Sequence, residues 1–433
     1  MATGTRPTPE LLAPAGGWSQ LEAAVRFGAD AVYLAVDRFG MRARAENFSL
    51  DDMPRVMEYC GSRGVGVSVA LNTLMDAGDM EALPGYLDSL ARSGVNRLII
   101  GDLGAFALAR EVMPEAELCV STQASVMNAR AACQWYELGA RRIVCAREMS
   151  LEAIAALRRQ VPEDLQLEAF VHGAMCVAYS GRCLLSAAMT GRSGNKGACA
   201  QSCRWGYALV EEKRPGEYFP LEEDQRGAYV LNAQDLNMIA HLDALAAAGV
   251  DSFKIEGRNK QAFYVATVVG AYRSVLDGGS VAEAQRELCT ISHRPYSTGF
   301  YFGEADQTPE RDGYIREWVH AATVEDCVAA GPDCWEATVL CCNRFAPDDV
   351  LETVSPGRPA RAFSPGPLSW HSPSDGGRPF VERGPLTLAQ VRSQSVLQPV
   401  SVANRSKEHY VFRSSCELRP GDYLRRQEGA VRP

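Results

Sequence analysis

The sequence is poor in features that would name a function quickly. It contains no run of 18 or more apolar residues, which excludes a membrane-spanning helix. The opening MATGTRPTPE has no apolar h-region, so a secretory signal is not expected and the chain is expected to be soluble and cytoplasmic. It has six histidines, none paired at metal spacing, and no HExxH, which argues against a zinc protease. GxSxG and the phosphate-binding GxxxxGKS/T are also absent. No GxGxxG follows the first apolar run, which weakens a dinucleotide-binding reading. Basic residues are outnumbered 44 to 53, giving a net charge of −9 that argues against a non-specific nucleic-acid coat protein.

What is present is ordinary globular material: 433 residues, 46% hydrophobic and 22% charged. That length suggests two or three domains. Up to about residue 280, short apolar runs alternate with amphipathic stretches. The expected strands are 11–14, 31–36, 67–71, 97–100, 118–121, 142–145, 167–171 and 252–255. Between most of them lie helical patterns such as MEALPGYLDSLARSG. Gly28, Gly94, Gly139 and Gly249 sit where helices should end and turn back toward a strand. Eight such strands indicate an α/β fold, a (β/α)8 TIM-like barrel over residues 1–290, with catalytic groups on the loops after the strands. The loop after the seventh strand, 173–235, is by far the longest, and LNMIAHLDALAAAG reads as the helix that resumes the pattern after it. A connector (291–325) and a small C-terminal β-barrel or sandwich (326–433) are expected to follow, with 364–378 as a surface loop.

The long loop holds Cys176, Cys183, Cys199 and Cys203, spaced C-x6-C-x15-C-x3-C. Four thiolates can close a tetrahedral zinc site or hold a cubane iron–sulfur cluster. The spacing lacks the C-x2-C knuckles of zinc ribbons, and a glycine-rich wrap suits the larger cluster better. The chain has 14 cysteines, and those such as Cys60, Cys119, Cys133 and Cys145 lie in apolar patterns that read as core. Between Cys176 and Trp205 stand Arg182, Arg192, Lys196 and Arg204, with no acidic residue. That excess suits an anionic ligand, or a solvated basic loop.

Other chemistry-bearing residues fall at strand ends. Lys254, Glu256 and Arg258 close the eighth strand, where alternation would set Lys254 and Glu256 on one face, as an ion pair or as a base and an anion clamp. His172 closes the seventh, where it could move protons, support a ligand sulfur or simply be hydrogen-bonded. Arg42 follows the second strand, Gln123 the fifth, Arg147 the sixth, and Asn232 and Asp235 lie at the exit of the cysteine loop, with Asp235 a plausible helix cap.

ELLAPAG (10–16), FVHGAMCVAYSGRCLLS (170–186), GACAQSCRW (197–205), LNAQDL (231–236) and KIEGR (254–258) together resemble the collagenase-like peptidase family of formerly unassigned catalytic type. Within it the layout, including YSTGFYFG at 296–303, is most similar to prephenate-dependent tRNA uridine hydroxylases. The resemblance implies a 4Fe–4S cluster on Cys176, Cys183, Cys199 and Cys203, and prephenate as co-substrate. It also implies tRNA as partner, with 5-hydroxyuridine at the wobble position as product. An electron donor of unknown identity is implied as well. Arg182, Arg204 and Arg258 would line a pocket for the dicarboxylate, and Arg425 and Arg426 would contact RNA phosphates. The same family leaves open a peptidase, or a hydroxylase of ribosomal RNA or a quinone precursor. A non-catalytic RNA-binding protein with a structural zinc is a further alternative.

Overall fold

Eight parallel strands succeed one another along the first part of the chain: β1 (Glu10–Ala15), β2 (Ala31–Leu34), β3 (Gly66–Leu71), β4 (Arg97–Ile100), β5 (Glu117–Val120), β6 (Arg142–Val144), β7 (Gln166–Ala174) and β8 (Ser252–Ile255). The computed structural model describes residues 8–41, 47–175, 181–205, 208–209, 219–220, 234–303, 314–376, 379–383 and 386–428. Each strand pairs in parallel with the next, and β8 pairs with both β7 and β1, so the sheet closes into a barrel. Helices α1 (Trp18–Arg26), α2 (Met53–Gly61), α3 (Ala77–Arg92), α4 (Leu103–Val112), α5 (Ala129–Glu137) and α6 (Leu151–Arg158) follow the first six strands. The cysteine-rich insertion carries α7 (Leu185–Thr190); α8 (Leu242–Ala247) precedes β8 and α9 (Ala262–Leu276) follows it.

The sequence explains this closure. Runs such as Leu11–Ala13 and Leu98–Ile100 are buried at every residue, because one face looks into the barrel and the other at the helices. Gly28, Gly94, Gly139 and Gly249 have φ of 97°, 83°, 106° and 90°, the left-handed turn that returns each helix to the next strand. Cys60, Cys119 and Cys145 are buried, and burial pushes their thiols up, those of Cys60 and Cys145 to about 11 and about 12. They remain protonated core residues.

Charged side chains cross-brace the strands. Glu168 Oε1 accepts from Lys254 Nζ at 2.6 Å, and its Oε2 from Arg142 Nη1 at 3.1 Å. Arg142 also reaches Glu10 at 2.6 Å, and Arg97 ties Glu10 to Glu117 at 3.2 and 3.1 Å. Strands β1, β4, β5, β6, β7 and β8 are thus joined through side chains.

Two local expectations fail. The stretch read as one helix from Leu236 begins instead as a short strand, Asp235–Asn237, antiparallel to β7, then a 3-10 turn at Ile239–His241 before α8. Asp235 is therefore no helix cap: it is buried and accepts the Arg294 backbone N–H at 3.2 Å. The alternation that suits a strand beside β7 prevails over the helical period. The proline- and serine-rich stretch 364–378 contains a strand, Leu368–Pro373, because Leu368 and Trp370 turn into the C-terminal core.

Residue contacts separate two units, Met1–Gln285 with His293–Tyr314, and Arg286–Ser292 with Ile315–Pro433. The second unit holds an antiparallel sheet of eight strands. Phe363 of its edge strand Ala362–Phe363 meets Phe412 of the interior strand His409–Ser414 at 5.9 Å between rings, so the sheet curls around one core. Arg425, read as a phosphate contact, is buried and held by Glu287 at 2.6 Å and Glu352 at 2.9 Å. Arg426 gives its Nε to the Arg344 carbonyl at 2.8 Å.

Glu168→Gln leaves two buried cations sharing one lost carboxylate. It should destabilise the barrel by ~3–5 kcal/mol in denaturant unfolding. A loss under ~1 kcal/mol would show that the network is dispensable.

Candidate functional site

The C-terminal ends of the strands open into a cavity of about 140 Å³. Tyr33, Asn72, Gln123, Arg147, Phe170, Lys254, Glu256 and Arg258 line it from the barrel, and Cys183, Cys199 and Cys203 line it from the insertion. The barrel supplies polar and charged groups, while the insertion supplies sulfur.

Glycine lets the insertion approach so closely. Gly181 has φ 75°, and a Cβ there would lie 2.2 Å from the Gln123 carbonyl oxygen; at Gly197, φ 83°, it would lie 2.7 Å from that of Gly40. Any larger residue would lift the loop off the strand ends. Ser186 Oγ then pins the loop, accepting from Ala200 N at 2.9 Å and donating to the Arg192 carbonyl at 2.6 Å. The Leu74 N–H donates to the Asn195 carbonyl at 3.1 Å. Lys196 spends its charge on Asp76 and Asp79 at 2.7 and 2.8 Å, so part of the basic excess is anchorage.

Three of the four motif cysteines therefore surround one space, and Cys176 lies outside the described residues. Cys199 Sγ accepts the Gln201 N–H at 3.3 Å. Among the described residues, no three His, Cys, Asp or Glu side chains gather within reach of a single metal ion.

Lys254 and Glu256 do not pair with each other. Lys254 points down to Glu168 and lies 4.3 Å from the centre of the Tyr33 ring. Glu256 stands 3.6 Å from Arg147 Nη2 and 3.5 Å from the Tyr33 hydroxyl. Arg258 is buried and lines the cavity. Arg182 is exposed and is not among the residues lining the cavity. Arg42, Asn232 and the Arg204 side chain lie outside the described residues.

His172 does not face the cavity. Pairing between β8 and β7 shifts from Lys254 with Phe170 to Ile255 with His172, so Val171 is an extra residue in β7. Such a bulge reverses the side-chain alternation. The Val171 carbonyl accepts from the Tyr272 hydroxyl at 2.7 Å, and the His172 ring packs among Tyr264, Tyr272 and Tyr296. Desolvation there, with repulsion from His293 and Lys260, lowers its pKa to about 3. A neutral buried imidazole is a packing group rather than a proton carrier at neutral pH. Arg147, marked in the sequence as a charge just past the sixth strand, lines the cavity, as do Tyr33, Asn72 and Phe170, which the sequence pattern did not single out.

Fold and site together define a (β/α)8 barrel with a thiol-lined mouth. The chain belongs to Peptidase family U32, which matches residues 16–311. It is 37% identical over 303 residues to the tRNA hydroxylation protein P1 of Bacillus subtilis (strain 168), covering 68% of this chain and 71% of that one. It is 33% identical over 336 residues to the tRNA hydroxylation protein P of Escherichia coli (strain K12), covering 67% and 74%. Over 283 residues it is 37% identical to the 23S rRNA 5-hydroxycytidine C2501 synthase of Escherichia coli (strain K12), covering 65% of this chain and 41% of that one.

The His172 environment has a measurable consequence. Between pH 6.5 and 3 the unfolded chain takes up a proton that the folded chain refuses, so stability falls as pH falls through that window. His172→Gln should show a shallower loss between pH 7 and pH 5 in denaturant titrations. Identical slopes would place the imidazole in water.

Proposed function

We propose that this protein is a tRNA-modifying hydroxylase that forms 5-hydroxyuridine at the wobble position. Its co-substrate would be prephenate, and Cys176, Cys183, Cys199 and Cys203 would hold a 4Fe–4S cluster. The supporting observation is the meeting of Cys183, Cys199 and Cys203 with Arg147, Glu256 and Arg258 around one cavity. Replacing C5–H of uridine by C5–OH removes two electrons from the base, so the site must serve both redox chemistry and a small co-substrate. When bound, the cluster would supply electron transfer or a polarising iron beside the cavity. The arginines suit the carboxylates of prephenate, through paired N–H groups that a lysine cannot match. Glu256 is the carboxylate placed to accept a proton inside the cavity. Trp205 is 47% exposed two residues beyond Cys203, a flat surface on which an unstacked base can lie. The partners would be tRNA, prephenate and an electron donor of unknown identity, in the cytoplasm where tRNA is found. No helix among the described residues is long and apolar enough to cross a membrane.

Hydrolysis of peptides, the activity in the family name, fits less well, because no histidine is among the described residues lining the cavity. Hydroxylation of ribosomal RNA is the second reading, favoured by the likeness to the cytidine synthase. Bulk tRNA from cells lacking this gene, digested and analysed by mass spectrometry, should have lost 5-hydroxyuridine and its derivatives. The wild-type gene should restore them and Cys199→Ala should not. Unchanged tRNA nucleosides would refute the reading, and a lost ribosomal 5-hydroxycytidine would support the second.

A further inference from the structure

Arg147 leaves β6 and enters the cavity with its hydrogen-bonding capacity only partly used. Its side chain is 13% exposed, and its guanidinium lies over the Phe170 ring at 4.0 Å. Glu256 is its charge partner at 3.6 Å, a distance that supports attraction but not a hydrogen bond. Arg147 Nε is buried and has no hydrogen-bond partner among the described residues. A guanidinium carries five N–H donors in a rigid fork, and leaving one buried and unmet is costly. A carboxylate satisfies Nε and a neighbouring Nη at once. Ile99, Val144 and Phe170 give the same cavity an apolar wall, with Phe170 under the guanidinium. Arg258 supplies a second cation at the same cavity. A ligand matching all of this carries a carboxylate on a small, partly apolar body, as the ring acid of the proposed function does.

We infer that Arg147 is the carboxylate anchor for a small cyclic acid, and that Glu256 is the counter-ion this acid displaces. Phe170 holds the guanidinium plane, so the fork is oriented before the ligand arrives. Glu256, no longer facing Arg147, still stands 3.5 Å from the Tyr33 hydroxyl within the cavity. Anchor and carboxylate are thereby coupled: the acid that binds also releases Glu256. The inference rests on the hydroxylase reading only in taking prephenate as the acid.

Equilibrium dialysis of the anaerobically purified protein against prephenate tests it. Arg147→Lys keeps the charge but loses the fork, and should weaken retention roughly tenfold or more. Arg147→Gln should weaken it further. Glu256→Gln removes the competitor and should bind at least as tightly as wild type. Circular dichroism and the thermal midpoint confirm that each variant is folded; if the glutamine variant is not, the lysine variant decides. Retention by folded Arg147 variants within about twofold of wild type overturns the anchor. So does weaker binding by Glu256→Gln, or no retention by wild type at millimolar prephenate. The wobble nucleoside is read separately. Its presence alongside Arg147-independent binding refutes the anchor alone, and its absence alongside Arg147-dependent binding refutes the hydroxylase reading alone.

Discussion

Glu168 is the residue on which the barrel and its mouth both depend. Its carboxylate is fully buried and shared between Lys254 of β8 and Arg142 of β6. A carboxylate so placed is tolerable only because two cations complete its shell, and each of those cations is tolerable for the same reason. The network closes the barrel chemically where β7 and β8 meet. It also ties Lys254 to Glu168 at the floor of the cavity, while Glu256 and Arg258, just past the end of β8, line the same space.

Above that network the architecture separates two tasks. Strand ends, rigid by virtue of their ladders, present Arg147, Glu256 and Arg258. The insertion, held by glycines against the carbonyls of Gly40 and Gln123, presents sulfur. Among the described residues lining the cavity, the cysteines come from the insertion and the two arginines and Glu256 from the strand ends. Phe170 links the two tasks, since it lines the cavity and carries the Arg147 plane.

Much of this was legible in the sequence, for physical reasons. All eight barrel strands were readable because a strand buried on both faces is a short apolar run, and glycines at 28, 94, 139 and 249 marked four of the returns. The cysteines and the KIEGR segment announced the mouth. His172 was misread because a bulge inverts alternation without changing composition, and pairing partners far away in sequence create it. Arg182 is exposed, a placement that local composition does not carry. Asp235 looked like a cap until the backbone of Arg294, distant in sequence, met it. Lys254 and Glu256 share a face in any two-residue alternation, yet Glu168 claims the first and Arg147 faces the second. Local pattern gives the element; long-range pairing gives the partner.

The most direct test of the central claim is the iron, sulfide and zinc content of the anaerobically purified protein, beside that of Cys199→Ala. The account predicts about four irons and four sulfides per chain, with a brown absorbance lost in the variant. A colourless protein holding one zinc per chain would contradict it and make the thiol-lined mouth a structural site.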